Sequence, residues 1–136
     1  MDWQSLGYAV IQVAHNFGAV AVVGGPSFAL WLLRAGAPGR RPIAWLVLAG
    51  WALQVVSGVA FGAASYAWYG HFPDIHGIAI AALVIKIACA VAGLALTTFH
   101  LVITRKGGAG SRNPWGSLLA LGATALTAAA FLRWLS

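Results

Sequence analysis

Acidic residues are almost absent from this sequence, which has two Asp or Glu side chains against eight Lys or Arg in 136 residues. Charged residues of both signs make up 7% of the chain, whereas soluble domains carry about 25%. Hydrophobic residues make up 61% of the chain. This composition excludes an ordinary soluble domain and indicates an integral membrane protein.

Cysteine is also scarce, because Cys89 is the only one in the sequence. A disulfide scaffold and a Cys-rich zinc or iron–sulfur site are therefore excluded. The net charge of +6 could suggest nucleic acid as a partner. Most of the basic residues, however, lie in two short clusters between long apolar runs, so no basic surface faces water and nucleic-acid binding is excluded.

Four apolar segments are long enough to cross a bilayer, which takes about 20 residues. They cover residues 6–33, 43–69, 78–103 and 115–132. Short connections between consecutive spans force neighbouring helices to run antiparallel. We therefore predict an all-α fold, an integral-membrane antiparallel four-helix bundle that forms one domain over residues 1–136.

Basic residues predict the orientation of this bundle. They cluster in the first and third loops as Arg34, Arg40 and Arg41 and as Arg105, Lys106 and Arg112. The middle loop contains Asp74 and no Lys or Arg. Because cytoplasmic loops carry the excess of Lys and Arg, loops 34–42 and 104–114 are expected in the cytoplasm and both termini outside. We expect a multi-pass protein of the bacterial inner membrane.

Polar side chains lie near the middle of three of the predicted spans. At ~1.5 Å rise per residue, His15 and Lys86 each lie ~12–15 Å from the outer ends of their helices. Gln54 is close to the centre of the second span, and Gln12, His15 and Asn16 share one face of the first helix. These residues can form a single polar layer inside the bundle.

Lys86 carries the strongest indication of function. A lysine at this depth costs roughly 2.5–3.5 kcal/mol, so it must face the interior and find a partner. Both carboxylates, Asp2 and Asp74, are expected at the outer surface. Three alternatives remain: Lys86 is neutral, it is hydrogen-bonded by Gln54 or backbone carbonyls, or a ligand provides its anion. A snorkelling lysine is the alternative without a function, but a side chain in the middle of a span reaches the interface poorly.

Histidines in the spans indicate a haem site, because neutral imidazole is a common axial ligand of haem iron. His15 is the first candidate ligand to a haem b. His76 and His100 are both candidates for the second ligand, at ~10–12 Å from His15 along the membrane normal. The alternatives are a core hydrogen bond for His15, a solvated loop for His71 and His76, and an interfacial position for His100.

A weak internal repeat relates the two halves of the chain at an offset of 71–72 residues. Phe28 aligns with Phe99, and Pro42 aligns with Pro114, although small apolar residues also align by chance. Two related hairpins would be arranged about an axis along the membrane normal. On this hypothesis His15 corresponds to Lys86.

Two short motifs carry a resemblance to a known superfamily. The first is His15-Asn-Phe-Gly-Ala-Val-Ala-Val-Val-Gly24-Gly25, and the second is Leu83-Val-Ile-Lys-Ile, which contains Lys86. The chain resembles the small membrane proteins that include the copper-resistance protein CopD and the HemJ-type protoporphyrinogen oxidases. The resemblance implies a haem- or porphyrin-linked role, with His15 as ligand and Lys86 at the same site. Val22-Val23 stands where these proteins have a tryptophan just before the Gly-Gly, and the histidine that HemJ-type proteins place beside the lysine is absent.

The first functional hypothesis is a b-type haem protein that transfers electrons within the membrane. His15 and either His76 or His100 would bind the iron, while Lys86 and Gln54 would serve the haem propionates or a quinone. The alternatives are a HemJ-like porphyrinogen oxidase, a CopD-like copper permease and a non-catalytic membrane subunit. Copper is disfavoured because Cu(I) prefers thiolate and thioether ligands. The expected partners are lipid, a quinone or porphyrin, and either a second copy of the chain or a larger membrane complex.

Overall fold

The computed structural model describes residues 2–36, 39–72, 75–105 and 113–135. Helices account for nearly all of these residues: α1 (Trp3–Arg34), α2 (Arg40–Tyr69), α3 (Ile78–Arg105) and α4 (Trp115–Leu135). The prediction of an all-α fold is confirmed, and no helix extends more than three residues beyond its predicted span. All four helices are long and apolar enough to cross a membrane.

Local hydrogen bonds explain where several helices begin and end. The Asp2 carboxylate accepts a hydrogen bond of 3.1 Å from a backbone N–H in the first turn of α1, which satisfies one of the unpaired donors there. The Asn113 side chain does the same for Trp115 at the start of α4, also at 3.1 Å. Gly70 ends α2 with a φ of 73° and donates its N–H to the Tyr66 carbonyl. Glycine adopts this left-handed conformation without the penalty that a Cβ would bring.

Each helix packs against two of the others. α1 and α3 both contact α2 and α4, so α1 and α3 face each other diagonally across the interior. α1 and α2 run antiparallel, because Gly18 of α1 meets Gly50 of α2 whereas Gly25 meets Val47. The interior side chains of α1 and α3 can therefore meet without the two backbones touching.

Helices α1 and α2 cross at close range. A Cβ on Gly50 would lie 2.7 Å from the Cβ of Ala21, and one on Gly18 would lie 3.0 Å from the Gly50 carbonyl oxygen. Small residues at membrane-helix interfaces allow such close backbone approach. This crossing holds the neighbouring His15 against the middle of α2.

Large apolar side chains cover much of the outer surface. Phe17 is 68% exposed and Val20 is 69% exposed, whereas Trp51 and Leu118 are buried between the helices. An apolar exterior of this extent is suited to lipid. The four apolar helices thus indicate a multi-pass membrane protein. Asp74, Lys106 and Arg112, which bear on the predicted orientation, lie outside the described residues.

Candidate functional site

His15 is the centre of a hydrogen-bonded group that joins three helices. Its Nδ1 lies 2.7 Å from the Ser57 hydroxyl of α2, and its Nε2 lies 3.0 Å from Lys86 Nζ of α3. The Phe61 ring contacts the imidazole edge-on, with the ring centroids 5.9 Å apart. Both nitrogens of a half-buried imidazole are therefore engaged.

The Ser57 hydroxyl decides which ring nitrogen of His15 carries the proton. Ser57 Oγ lies 2.5 Å from the Leu53 carbonyl oxygen, which can only accept a hydrogen bond. The single hydroxyl hydrogen is used there, so Ser57 accepts from the Nδ1–H of His15. Nε2 then carries a lone pair, to which Lys86 donates. The neutral imidazole is held with its lone pair directed into the interior.

Gln54 fixes the depth of this group. Its buried side-chain amide donates a hydrogen bond of 2.6 Å to the backbone carbonyl of His15. Gln54 is the fifteenth of the thirty residues of α2, and His15 is therefore level with the middle of that helix. Polar groups at this depth have no water to bond with and depend on each other.

Lys86 reaches across the diagonal between α3 and α1. Its ammonium or amine nitrogen donates to His15 Nε2, an acceptor that is not among the three alternatives predicted from the sequence. In the part of the chain that the structure describes, Lys86 makes no other hydrogen bond. Asp2, the carboxylate among the described residues, caps the N-terminal end of α1 instead.

Ser57 is not among the residues that the sequence predicts for the polar layer. It lies three residues after Gln54, and residues at that spacing share a helix face. This spacing is the signal that could have identified it. Serine is common in membrane helices as a partner of backbone carbonyls, so the signal is weak until His15 is placed beside it.

The other histidines do not join this group. His100 lies fourteen residues beyond Lys86 on α3, which corresponds to ~21 Å along the helix axis, and its ring contacts Trp115 edge-on at 5.3 Å. His76 is exposed and precedes the first residue of α3. His71 is exposed in the middle loop and donates to the Phe72 carbonyl at 3.0 Å. The structure thus brings Lys86 and Gln54 to His15, while His76 and His100 lie toward opposite ends of α3.

A buried donor without a partner among the described residues, the indole N–H of Trp51, lies on the same helix as Gln54. The Trp51 side chain is 1% exposed and packs directly on Gly93 of α3. Its indole N–H has no hydrogen-bond partner among the described residues. An unpaired N–H in a dry interior is costly.

A groove lies between α3 and α4. It has a volume of about 480 Å³, and it is lined by apolar and small side chains that include Ala82, Ile85, Thr124 and Phe131. Ala82 is one turn before Lys86 on α3, although Lys86 itself is not among the residues that line the groove.

No known protein family, characterised protein or solved structure shows significant similarity to this chain. Among the residues that the structure describes, no group of three or more His, Cys, Asp or Glu side chains is placed to hold a metal ion. The fold and the site define a multi-pass membrane protein with an imidazole and an amine hydrogen-bonded in its interior.

Proposed function

We propose that this chain is an integral-membrane b-type haem protein that transfers electrons within the membrane, with His15 as an axial ligand. The orientation of the His15 ring carries the proposal, because Ser57 holds the Nδ1–H and leaves the Nε2 lone pair facing inward. Metal-ligating histidines are arranged in this way, with the second ring nitrogen bonded to an oxygen that fixes the tautomer.

The residues around His15 fit one histidine ligand to the iron. His100 and His76 lie too far from His15 to share an iron with it. At ~1.5 Å rise per residue, His100 is ~21 Å and His76 is ~15 Å from the level of Lys86, which contacts His15. Lys86 is the basic group on the Nε2 side of the imidazole. It must withdraw from Nε2 before a metal can bind there.

Each residue of the group has a separate task in this proposal. A bound haem would supply a one-electron carrier. Ser57 fixes the His15 tautomer, and Gln54 holds α1 against α2 at the same level. Lys86, once released from Nε2, has its N–H groups free to donate to a propionate or to a quinone carbonyl. The apolar groove between α3 and α4, which is lined by Ala82 one turn before Lys86, supports access by a quinone from the lipid.

The second candidate is a HemJ-like porphyrinogen oxidase. It is favoured by the contact between His15 and Lys86, which lie 71 positions apart in the sequence and 3.0 Å apart in space. The resemblance of the two short motifs to HemJ-type proteins implies that this pair serves one site. Complementation of a bacterial strain that lacks protoporphyrinogen oxidation tests this candidate, and failure to restore growth would exclude it.

The proposed protein is an antiparallel four-helix bundle in the bacterial inner membrane. Loops 34–42 and 104–114 lie in the cytoplasm, and both termini lie outside. The proposal is supported by the clustering of basic residues in those two loops, because translocation is disfavoured for short basic loops.

Absorption spectra and iron analysis test the haem proposal. The detergent-purified chain, produced in cells supplied with a haem precursor, is expected to show a Soret band that shifts on reduction with dithionite. Haem and iron are expected at about one per chain, because a single imidazole offers a suitable Nε2. Protein without a Soret band and without iron, both as purified and after titration with hemin, would rule the proposal out.

A further inference from the structure

We propose that an exposed face of α1 is an interface between two copies of this chain within the membrane. This amide face consists of Gln12, Asn16, Val20 and Gly24, all of which are exposed. It lies on the helix whose apolar window is the least buried of the four. The sequence predicts Gln12 and Asn16 inside the bundle with His15, but both side chains are exposed, whereas the His15 ring contacts Ser57 and Lys86 in the interior. The proposal is therefore independent of haem binding.

The two amide side chains lie deep in the membrane. Gln54, at the middle of α2, bonds to the carbonyl of His15 and fixes the level of that residue. Asn16 is the next residue, and Gln12 is three residues away from His15, about 5 Å along the axis. Since the hydrocarbon region extends about 15 Å on each side of the midplane, both amides are surrounded by lipid tails in a single chain.

A single chain leaves these amides incompletely hydrogen-bonded. Gln12 Nε2 donates to Asn16 Oδ1 at 2.7 Å. Among the described residues, the side-chain carbonyl oxygen of Gln12 and the side-chain amide hydrogens of Asn16 have no hydrogen-bond partner. Lipid tails offer neither donors nor acceptors, so the exposed groups favour association with a polar surface at the same depth.

A second copy of the chain provides such a surface without any further component. Each amide contains a donor and an acceptor, and the pair of amides is therefore complementary to itself. Identical chains insert in the same orientation, so a twofold axis along the membrane normal brings Gln12 and Asn16 of one copy to those of the other at the same depth. Hydrogen bonds between Asn and Gln side chains stabilise contacts of this kind between membrane helices.

The rest of the amide face allows the two α1 helices to approach closely. Asn16, Val20 and Gly24 are spaced four residues apart and follow one side of the helix. A Cβ placed on Gly24 would meet no atom within 4 Å, so the space beside it is open. A small residue two turns from an interfacial amide is typical of close helix pairs in membranes.

Oligomeric state in lipid tests the proposal. We expect the wild-type chain to form dimers in liposomes, as measured by Förster transfer between labelled copies over a range of protein-to-lipid ratios. Gln12→Leu combined with Asn16→Leu is expected to weaken dimerisation about tenfold. Val59→Leu is the matched control, since Val59 is an exposed apolar residue of α2, and it should leave dimerisation unchanged.

Cysteine cross-linking in native membranes locates the surface and keeps the test valid if the double variant folds poorly. Val20→Cys should give a disulfide-linked product of twice the chain mass on mild oxidation, and Val59→Cys should not. Both variants would also carry Cys89→Ser, so that the new cysteine alone can react. The proposal is overturned by a monomeric wild type at every lipid ratio, or by equal cross-linking at both positions. It is equally overturned if Val20→Cys links only to a different protein.

Discussion

Replacing His15 by Ala is expected to leave the purified chain without its Soret band, whereas His71→Ala should retain the wild-type haem content. The reason is that His15 is the histidine whose Nε2 lone pair is held toward the interior by a second hydrogen bond. His71 is the matched control, because its ring is exposed in the middle loop. The haem-to-protein ratio, from absorbance and iron analysis of variants purified in parallel, gives the result.

Three further variants distinguish the histidine that binds the iron from residues that only orient it or that take no part. Ser57→Ala should keep the haem but bind it about 10–100-fold more weakly, because the loss of a partner that orients a ligand has an effect of that size. His76→Ala and His100→Ala should bind haem as the wild type does. If His15→Ala binds a full complement of haem, or if His100→Ala loses it, the iron is held elsewhere in the chain.

His15→Leu is expected to destabilise the haem-free protein more than Lys86→Leu does. Removing the imidazole leaves the Lys86 amine in an apolar interior without its acceptor, and an unpaired buried donor or charge is costly. Removing Lys86 leaves only the Nε2 lone pair of His15 without a hydrogen-bond donor. The double variant should be more stable than His15→Leu alone, with an interaction energy of about 1–3 kcal/mol in the free energy of unfolding.

Unfolding in mixed detergent micelles, followed by circular dichroism for the four proteins of this cycle, measures that interaction energy. Asn113→Ala combined with Lys86→Leu is the control pair, because Asn113 caps the start of α4 far from the site. The two effects should add within about 0.5 kcal/mol for such a distant pair. Additive effects for His15 and Lys86 as well would mean that the two side chains do not interact in the folded protein. Tolerance of both single changes would favour a subunit in which the polar layer has no function.

The fold could be predicted closely because the bilayer sets the length of each helix. All four helix starts and ends lie within three residues of the predicted spans. The end residues depend on local chemistry, such as the Asp2 cap and the glycine at position 70, which hydropathy alone does not locate. Depth could be predicted for the same reason, because counting residues at a fixed rise places His15, Lys86 and Gln54 at a similar level.

The direction in which each side chain points could not be predicted. Lipid tails are as apolar as the protein interior, so the helices lack the polar face that reveals orientation in a soluble protein. The rotation of α1 depends on the close crossing of Gly18 and Gly50. For that reason the hydrogen bond from Lys86 to His15 and the role of Ser57 emerge only from the packed structure. The hypothetical internal repeat, which makes His15 and Lys86 equivalent, is the feature of the sequence that comes nearest to this contact.

Nitrogen-15 NMR of the haem-free chain in lipid bilayers, with labelled histidine and lysine, tests the His15 arrangement most directly. We predict that His15 carries its proton on Nδ1, that its Nε2 is unprotonated, and that Nε2 shows a through-space correlation with Lys86 Nζ. His15→Ala should abolish this correlation. Its loss in that variant would assign the signal to His15 among the four histidines of the chain. A proton on Nε2 of His15, or no contact between that atom and Lys86, would contradict the account.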